Sequence, residues 1–201
     1  MERIGLLGGT FDPPHVGHLW LAETARDQLA LDRVLFLPVG QPPHKRERPI
    51  SPAVHRLAMI RLAVAHIPWF MVDTTDLDRP PPHTTVTLLP LLAEKYPNAH
   101  LWLLLGGDSL RDLPTWHKPD MLVRQCRLGV LARPGAEVDW SKLETAVPGV
   151  TAVTDLLDGP TINLSATEIR RWVAAGHSIQ HLVPPAVCRY IQQNRLYQPK
   201  A

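Results

Sequence analysis

Three apolar runs constrain the fold of this 201-residue chain most: Ile4-Gly5-Leu6-Leu7, Val34-Leu35-Phe36-Leu37 and Leu101-Trp102-Leu103-Leu104-Leu105. None alternates apolar with polar residues, so each suits a strand covered on both faces, the kind found in parallel sheets. Parallel strands need helical crossovers, and the intervening segments supply them. Val16 to Leu29 follows a Pro-Pro pair, and Pro52 to Ala65 has Ser51 at an N-cap position and Pro52 at the first helical one. A third segment, Thr85 to Lys95, contains Pro90, which is expected to interrupt it. Trp69 to Val72, Leu128 to Leu131 and Thr151 to Val153 are weaker strand candidates. Alternating strands and helices predict an α/β fold, a Rossmann-like doubly wound parallel sheet. The part from roughly Gly159 reads mostly helical and predicts a small C-terminal subdomain, within one domain over 1–201. Ligands of such sheets bind outside the carboxyl ends of the strands, where the strand order reverses.

Composition narrows the function classes. The chain has 21 prolines, about twice the average usage of roughly 5%. With 45% hydrophobic and 20% charged residues, this proline content marks ordered loops, such as Gln41 to Pro52 and Asp78 to His83, rather than disorder. Two cysteines, Cys126 and Cys188, provide neither a disulfide framework nor a four-ligand zinc site, which fits a reduced, cytoplasmic setting. A net charge of +2 is too small for a whole-protein attraction to nucleic acid or membrane. No targeting segment is visible, and no apolar stretch approaches the roughly 18 residues a membrane span requires, so a soluble protein is expected.

The first strand runs into Gly8-Gly9-Thr10-Phe11-Asp12-Pro13-Pro14-His15-Val16-Gly17-His18, after which a helix begins. The glycines are expected to let the backbone turn and approach a ligand, and the prolines to fix the start of the helix. His15 and His18 are three apart and share a face of a first helical turn. A helix N-terminus favours anions, so the two imidazoles could place donors on phosphate oxygens. The spacing matches neither the dinucleotide fingerprint nor the P-loop, and no third ligand completes a zinc site. Histidines that merely cap and pack are the structural alternative.

A second constellation is Asn163-Leu164-Ser165-Ala166-Thr167-Glu168-Ile169-Arg170. Ser165 with Glu168 three later forms a capping-box pattern, with Gly176 as the expected stop. Thr167 and Arg170 add a hydroxyl and a guanidinium near the same positive helix end, and arginine grips phosphate with two donors. By itself the segment fits either a cap or a phosphate site.

Gly8 to His18 resembles the Gly-x-Phe-Asp-Pro-x-His-x-Gly-His signature of the nucleotidyltransferase superfamily with a His-x-Gly-His motif, and Asn163 to Arg170 is similar to its Ile-Ser-Ser-Thr-x-Ile-Arg motif. Further segments resemble the bacterial nicotinate-nucleotide adenylyltransferase family over nearly the whole chain. They are Pro42-Pro43-His44-Lys45, Gly106-Gly107-Asp108-Ser109-Leu110, Pro114-Thr115-Trp116, Arg133-Pro134-Gly135, and Tyr190-Ile191 through Leu196-Tyr197.

The resemblance implies transfer of the adenylyl group of ATP to nicotinate mononucleotide, giving deamido-NAD and pyrophosphate in NAD biosynthesis. It implies Mg²⁺ accompanying ATP, with ligands left open, and small-molecule partners with room for a homo-oligomer. Gly8, Gly9, Thr10 and Phe11 would form the loop along the site. His15 and His18 would hold the ATP phosphates, and Ser165, Thr167 and Arg170 the phosphates that leave; His15, His18 and Arg170 would be the catalytic set. Gly106 and Asp108 would contact adenosine, with Asp108 accepting from ribose hydroxyls. Lys45, Thr85, Trp116 and Arg133 would face the nicotinate nucleotide. Two departures stand out: the family's usual Ser-Tyr-Thr reads His83-Thr84-Thr85, and Ala166 replaces a common second serine. The rival readings are pantetheine-phosphate adenylyltransferase, nicotinamide mononucleotide as the preferred acceptor, a cytidylyltransferase, and a nucleotide-sensing module without turnover.

Overall fold

The computed structural model describes residues 1–40, 50–131, 138–160 and 162–199. Among them, β1 (Glu2–Gly9), β2 (Arg33–Pro38), β3 (Phe70–Val72), β4 (Ala99–Gly106), β5 (Arg127–Leu131) and β6 (Thr154–Leu157) form one sheet in the order β3-β2-β1-β4-β5-β6. Every pairing is parallel. The three apolar runs are the central strands, and their side chains divide by the two-residue period of a strand. Leu7, Val34, Phe36 and Leu104 enter one core, while Ile4, Leu6, Leu35 and Leu103 enter the other.

Helices cover both faces, which is why the runs need no polar side. They are α1 (Val16–Gln28), α2 (Ala53–Val64), α3 (Thr75–Asp78), α4 (Thr85–Lys95), α5 (Gly107–Asp112), α6 (Pro119–Leu122), α7 (Trp140–Ala146), α8 (Val150–Val153), α9 (Ala166–Ala174) and α10 (Pro185–Gln193). The first core takes Leu21 of α1, Ile60 of α2, Ile169 of α9 and Val187 of α10; the second takes Leu89 of α4, Leu122 of α6 and Leu143 of α7. The order reverses between β1 and β4, so the crevice for a ligand lies beyond Gly9 and Gly106. No helix among the described residues is long and apolar enough to cross a membrane.

Three local expectations are corrected. Pro90 does not interrupt α4, which runs through it. Pro90 is exposed while Leu88, Leu89 and Leu92 are buried, and burying those leucines at ~2 kcal/mol each outweighs the ~3 kcal/mol that an interior proline costs. Ser51 does not cap α2. Pro52 holds the cap position without a side-chain bond, and the Ser51 amide donates instead to Asp12 Oδ2 at 3.1 Å. Thr151 to Val153 lies in α8 rather than in a strand, and β6 follows it. The left-handed Gly149, φ +89°, starts a turn there, and that tertiary signal overrides the strand preference of Thr and Val.

Candidate active site

A cavity of about 1060 Å³ opens at the carboxyl ends of β1 and β4. Gly8, Gly9, Thr10, Phe11, His15 and His18 line it from the first motif, and Ser165, Thr167 and Arg170 from the second. Gly106, Asp108, Thr85 and Trp116 complete the candidate residues that it brings together. Lys45 and Arg133 lie outside the described residues.

The turn after β1 falls on an unexpected residue. Gly8 and Gly9 stay within the strand, and Phe11 takes the left-handed conformation, with φ +50°. The glycines provide room instead: a Cβ on Gly8 would meet nothing within 4 Å, and one on Gly9 would press on the Phe11 ring at 3.1 Å. Phe11 tolerates its backbone strain because its ring is 1% exposed, packed at 4.9 Å edge-on to His18 and at 5.8 Å against Phe36. Its side chain is a core anchor beneath the loop.

His15 is the N-cap of α1, and its ring stacks on His18 with centroids 3.7 Å apart. The His15 amide donates to His18 Nδ1 at 3.2 Å. An amide can only donate, so neutral His18 carries its proton on Nε2. Burial pushes the His15 pKa down to about 4, so this ring is neutral at pH 7. Its Nδ1 is buried with no hydrogen-bond partner in the structure. His15 therefore brings at most one N–H donor and no charge, a sharper assignment than two equivalent imidazoles.

The second motif starts α9 with a reciprocal cap. Ser165 Oγ accepts from the Glu168 amide at 3.2 Å, and the Ser165 amide donates to Glu168 Oε2 at 2.9 Å. Gly176, φ +78°, ends the helix, with bonds from its amide to Val173 O and from the His177 amide to Trp172 O. Arg170 Nη1 donates to Asp12 O at 2.7 Å and Nη2 to Thr167 Oγ1 at 3.2 Å. The guanidinium thus joins the two motifs across 158 residues. The N-termini of α1 and α9, each worth roughly half a positive charge, contribute residues to one cavity, which can receive several phosphate oxygens.

The opposite side of the cavity is held by a turn that bonds to itself and by a long-range contact between His83 and Gly40. Thr85 is the first residue of α4 and follows a turn organised by Arg79. Arg79 Nη1 donates to Pro82 O at 3.1 Å and Nη2 to Thr84 O at 3.0 Å, while Nε donates to the buried Asp76 at 2.7 Å. His83 Nδ1 lies 3.8 Å from the same carboxylate, and a Cβ on Gly40 would collide with the His83 ring at 2.3 Å. Trp116 is half-buried against the second core and also lines the cavity, so packing and exposure are both partly realised. Asp108 sits in the first turn of α5, its carboxylate 3.4 Å from Arg111.

Sequence reasoning overlooked the residues behind these walls: Asp76, Arg79, Arg56 and the Tyr197 hydroxyl, which donates to Asp12 Oδ1 at 2.7 Å. One signal existed for Arg56, a cation three and four residues before the buried Met59 and Ile60 on the apolar face of α2. Among the described residues no group of three or more His, Cys, Asp or Glu side chains is placed to hold a metal.

Residues 6–172 match the cytidylyltransferase-like family. The chain belongs to that family. Within it, the chain is 48% identical over 198 residues, 98% of its own length and 92% of the other's, to a protein of Thermomicrobium roseum named as a probable nicotinate-nucleotide adenylyltransferase. A protein of Roseiflexus sp. with the same name is 43% identical, with 97% of this chain and 98% of that one covered. These relatives place the chain among the nicotinate-nucleotide adenylyltransferases of the family. The fold is similar to that of the Plasmodium falciparum nicotinic acid mononucleotide adenylyltransferase complexed with NaAD, with a TM-score of 0.80, 18% identity and 98% of both chains covered.

Proposed function

We propose that this chain transfers the adenylyl group of ATP to nicotinate mononucleotide, forming deamido-NAD and pyrophosphate in NAD biosynthesis. The observation that carries the reading is one cavity, large enough for two nucleotides, that unites a cradle for phosphates at α1 and α9 with a separate wall at Thr85 and Trp116. The relatives' shared name supports the same reaction.

The mononucleotide's phosphate oxygen attacks the α-phosphorus of ATP in line, forming the new P–O bond as the bond to pyrophosphate breaks. No protein nucleophile is required, so the protein contributes positioning and charge stabilisation. His18 presents its Nε2 proton to the α-phosphate, where negative charge develops, and neutral His15 supports it from the ring below. Arg170, Thr167 and Ser165, at the start of α9, receive the β- and γ-phosphates. Gly8, Gly9 and Gly106 leave space for the nucleotide, and Asp108 accepts from the ribose hydroxyls. Mg²⁺ accompanying ATP would offset phosphate charge beside Arg170 and Thr167.

On the acceptor side, the nicotinate carboxylate faces the N-terminus of α4 at Thr85, and the pyridine ring stacks on Trp116. A carboxylate side chain lies in this wall, Asp76, buried and paired with Arg79. That pairing removes the repulsion a lone aspartate would exert on the substrate. The reaction is cytoplasmic, where the free Cys126 and Cys188 stay reduced. In the direct test, pyrophosphate release from ATP and Mg²⁺ depends on added nicotinate mononucleotide. Release at the same rate without it would contradict the reading, as would binding of ATP without turnover.

A further inference from the structure

Arg56, the fourth residue of α2, is 2% exposed and lies on the face that buries Met59 and Ile60. Its guanidinium bonds to four main-chain carbonyls. Nη1 donates to Thr10 O at 3.0 Å and to Val39 O at 2.9 Å, Nη2 to Gly40 O at 3.1 Å, and Nε to Ser51 O at 3.1 Å. Burial lowers its pKa from the ordinary arginine value, while Asp12 and Tyr197 favour the charged form. An arginine remains protonated under such conditions.

Burying this cation is costly, several kcal/mol after relaxation, and an apolar residue would pack the same face more cheaply. What the guanidinium adds is reach. Thr10 belongs to the phosphate cradle after β1, and Val39, which follows β2, lines the cavity on the side of His83 and Thr84. A single nitrogen, Nη1, holds the carbonyls of both, and the Val39 amide closes the link by donating to Gly9 O at 3.0 Å. Asp12, which binds the Ser51 amide, the Tyr197 hydroxyl and, through its carbonyl, Arg170, extends the frame to α9. Arg56 itself is absent from the cavity lining.

We infer that Arg56 is a positioning residue for adenylyl transfer: it fixes the phosphate cradle at Thr10 against Val39, which lines the cavity, and Gly40, which backs His83 on the acceptor side, and so sets the separation of the two substrates. This rests on the reaction proposed above. In-line transfer requires the reacting atoms about 3–3.5 Å apart, and a misplacement of about 1 Å costs on the order of 100-fold in rate. The residue therefore acts on kcat and leaves the affinity for each substrate nearly unchanged.

The test is steady-state kinetics of Arg56→Ala, with sites counted by nucleotide-binding titration so that unfolded protein does not enter kcat. The expected result is a loss of kcat per site on the order of 100-fold, with both KM values within a few-fold of wild type. Millimolar guanidinium should restore part of kcat in Arg56→Ala, whose emptied site keeps the four carbonyls, and none in Arg56→Met, whose side chain fills it. Arg56→Lys, which keeps the charge with fewer directed donors, should fold and show an intermediate loss, and it carries the test if the alanine variant does not fold. Unchanged kcat per site in Arg56→Lys, or a loss confined to KM or to melting temperature, would overturn the inference. An inactive wild type would instead overturn the reaction itself.

Discussion

The cavity has two walls that are made differently. On the phosphate side, His15, His18, Ser165, Thr167 and Arg170 all sit at or just after the start of a helix, α1 or α9, and the Ser165–Glu168 cap is complete within four residues. On the acceptor side, Thr85 is placed by a turn that Arg79 and Asp76 hold, His83 is wedged against Gly40, and Trp116 follows a short 3₁₀ turn at Leu113–Thr115. The first wall rests on helix starts, since a helix N-terminus brings its own donors and dipole, and Arg170 ties its two halves together across 158 residues. The second is built from turns: Arg79 ties Asp76, Pro82 and Thr84 within a few residues of itself, and His83 against Gly40 adds a long-range contact. Phosphates, common to every nucleotide, are met by helix starts, and the distinguishing ring by turns.

If the walls divide the labour in this way, variants should separate them. The largest effect belongs to His18→Ala, which removes the Nε2 donor from the developing charge. kcat should fall on the order of 100- to 1000-fold, as for loss of an oxyanion donor, with little change in melting temperature. Turnover close to wild type would remove His18 from the phosphate wall.

The next effect is on stability and concerns His15. Its folded pKa of about 4 lies below the ordinary histidine value of about 6.5, so between these values the unfolded chain binds a proton that the folded protein does not. Stability is complete above about pH 6.5 and is lost as the pH falls toward 4, by about 3 kcal/mol in all. Melting curves at pH 7 and pH 5 should show a larger drop for wild type than for His15→Gln; equal drops would mean that the ring is not buried in its neutral form.

Smallest is Trp116→Ala. Losing a stacked ring costs about 1–3 kcal/mol, by analogy with base stacking on aromatic side chains. It should raise KM for the mononucleotide roughly 5- to 150-fold at unchanged KM for ATP. An equal rise in both would show that the walls are not separate.

The same contrast explains what could be read from the sequence. The central strands β1, β2 and β4 were legible because an apolar run without alternation has few other uses, and α9 because its cap and its Gly176 stop are both local signals. The pairing of the two motifs in one cavity was legible only through the family resemblance, since the second motif by itself fitted either a cap or a phosphate site. The role of Gly8 and Gly9 was misread as turning, since nothing local tells that Phe11 rather than a glycine takes φ +50°. Arg56 was passed over because its four partners are main-chain carbonyls, which every residue carries and which only folding selects. The β6 boundary was displaced for a similar reason, its register being set by β5.

The most direct measurement is kcat/KM with ATP and Mg²⁺ for nicotinate mononucleotide, nicotinamide mononucleotide and pantetheine phosphate as acceptors. Adenylyl transfer at this site predicts the highest value for nicotinate mononucleotide, with the amide at least on the order of 100-fold lower because donors at the start of α4 would be left unpaired. Equal values for acid and amide would contradict the assigned acceptor wall, and a preference for pantetheine phosphate would contradict the assigned substrate altogether.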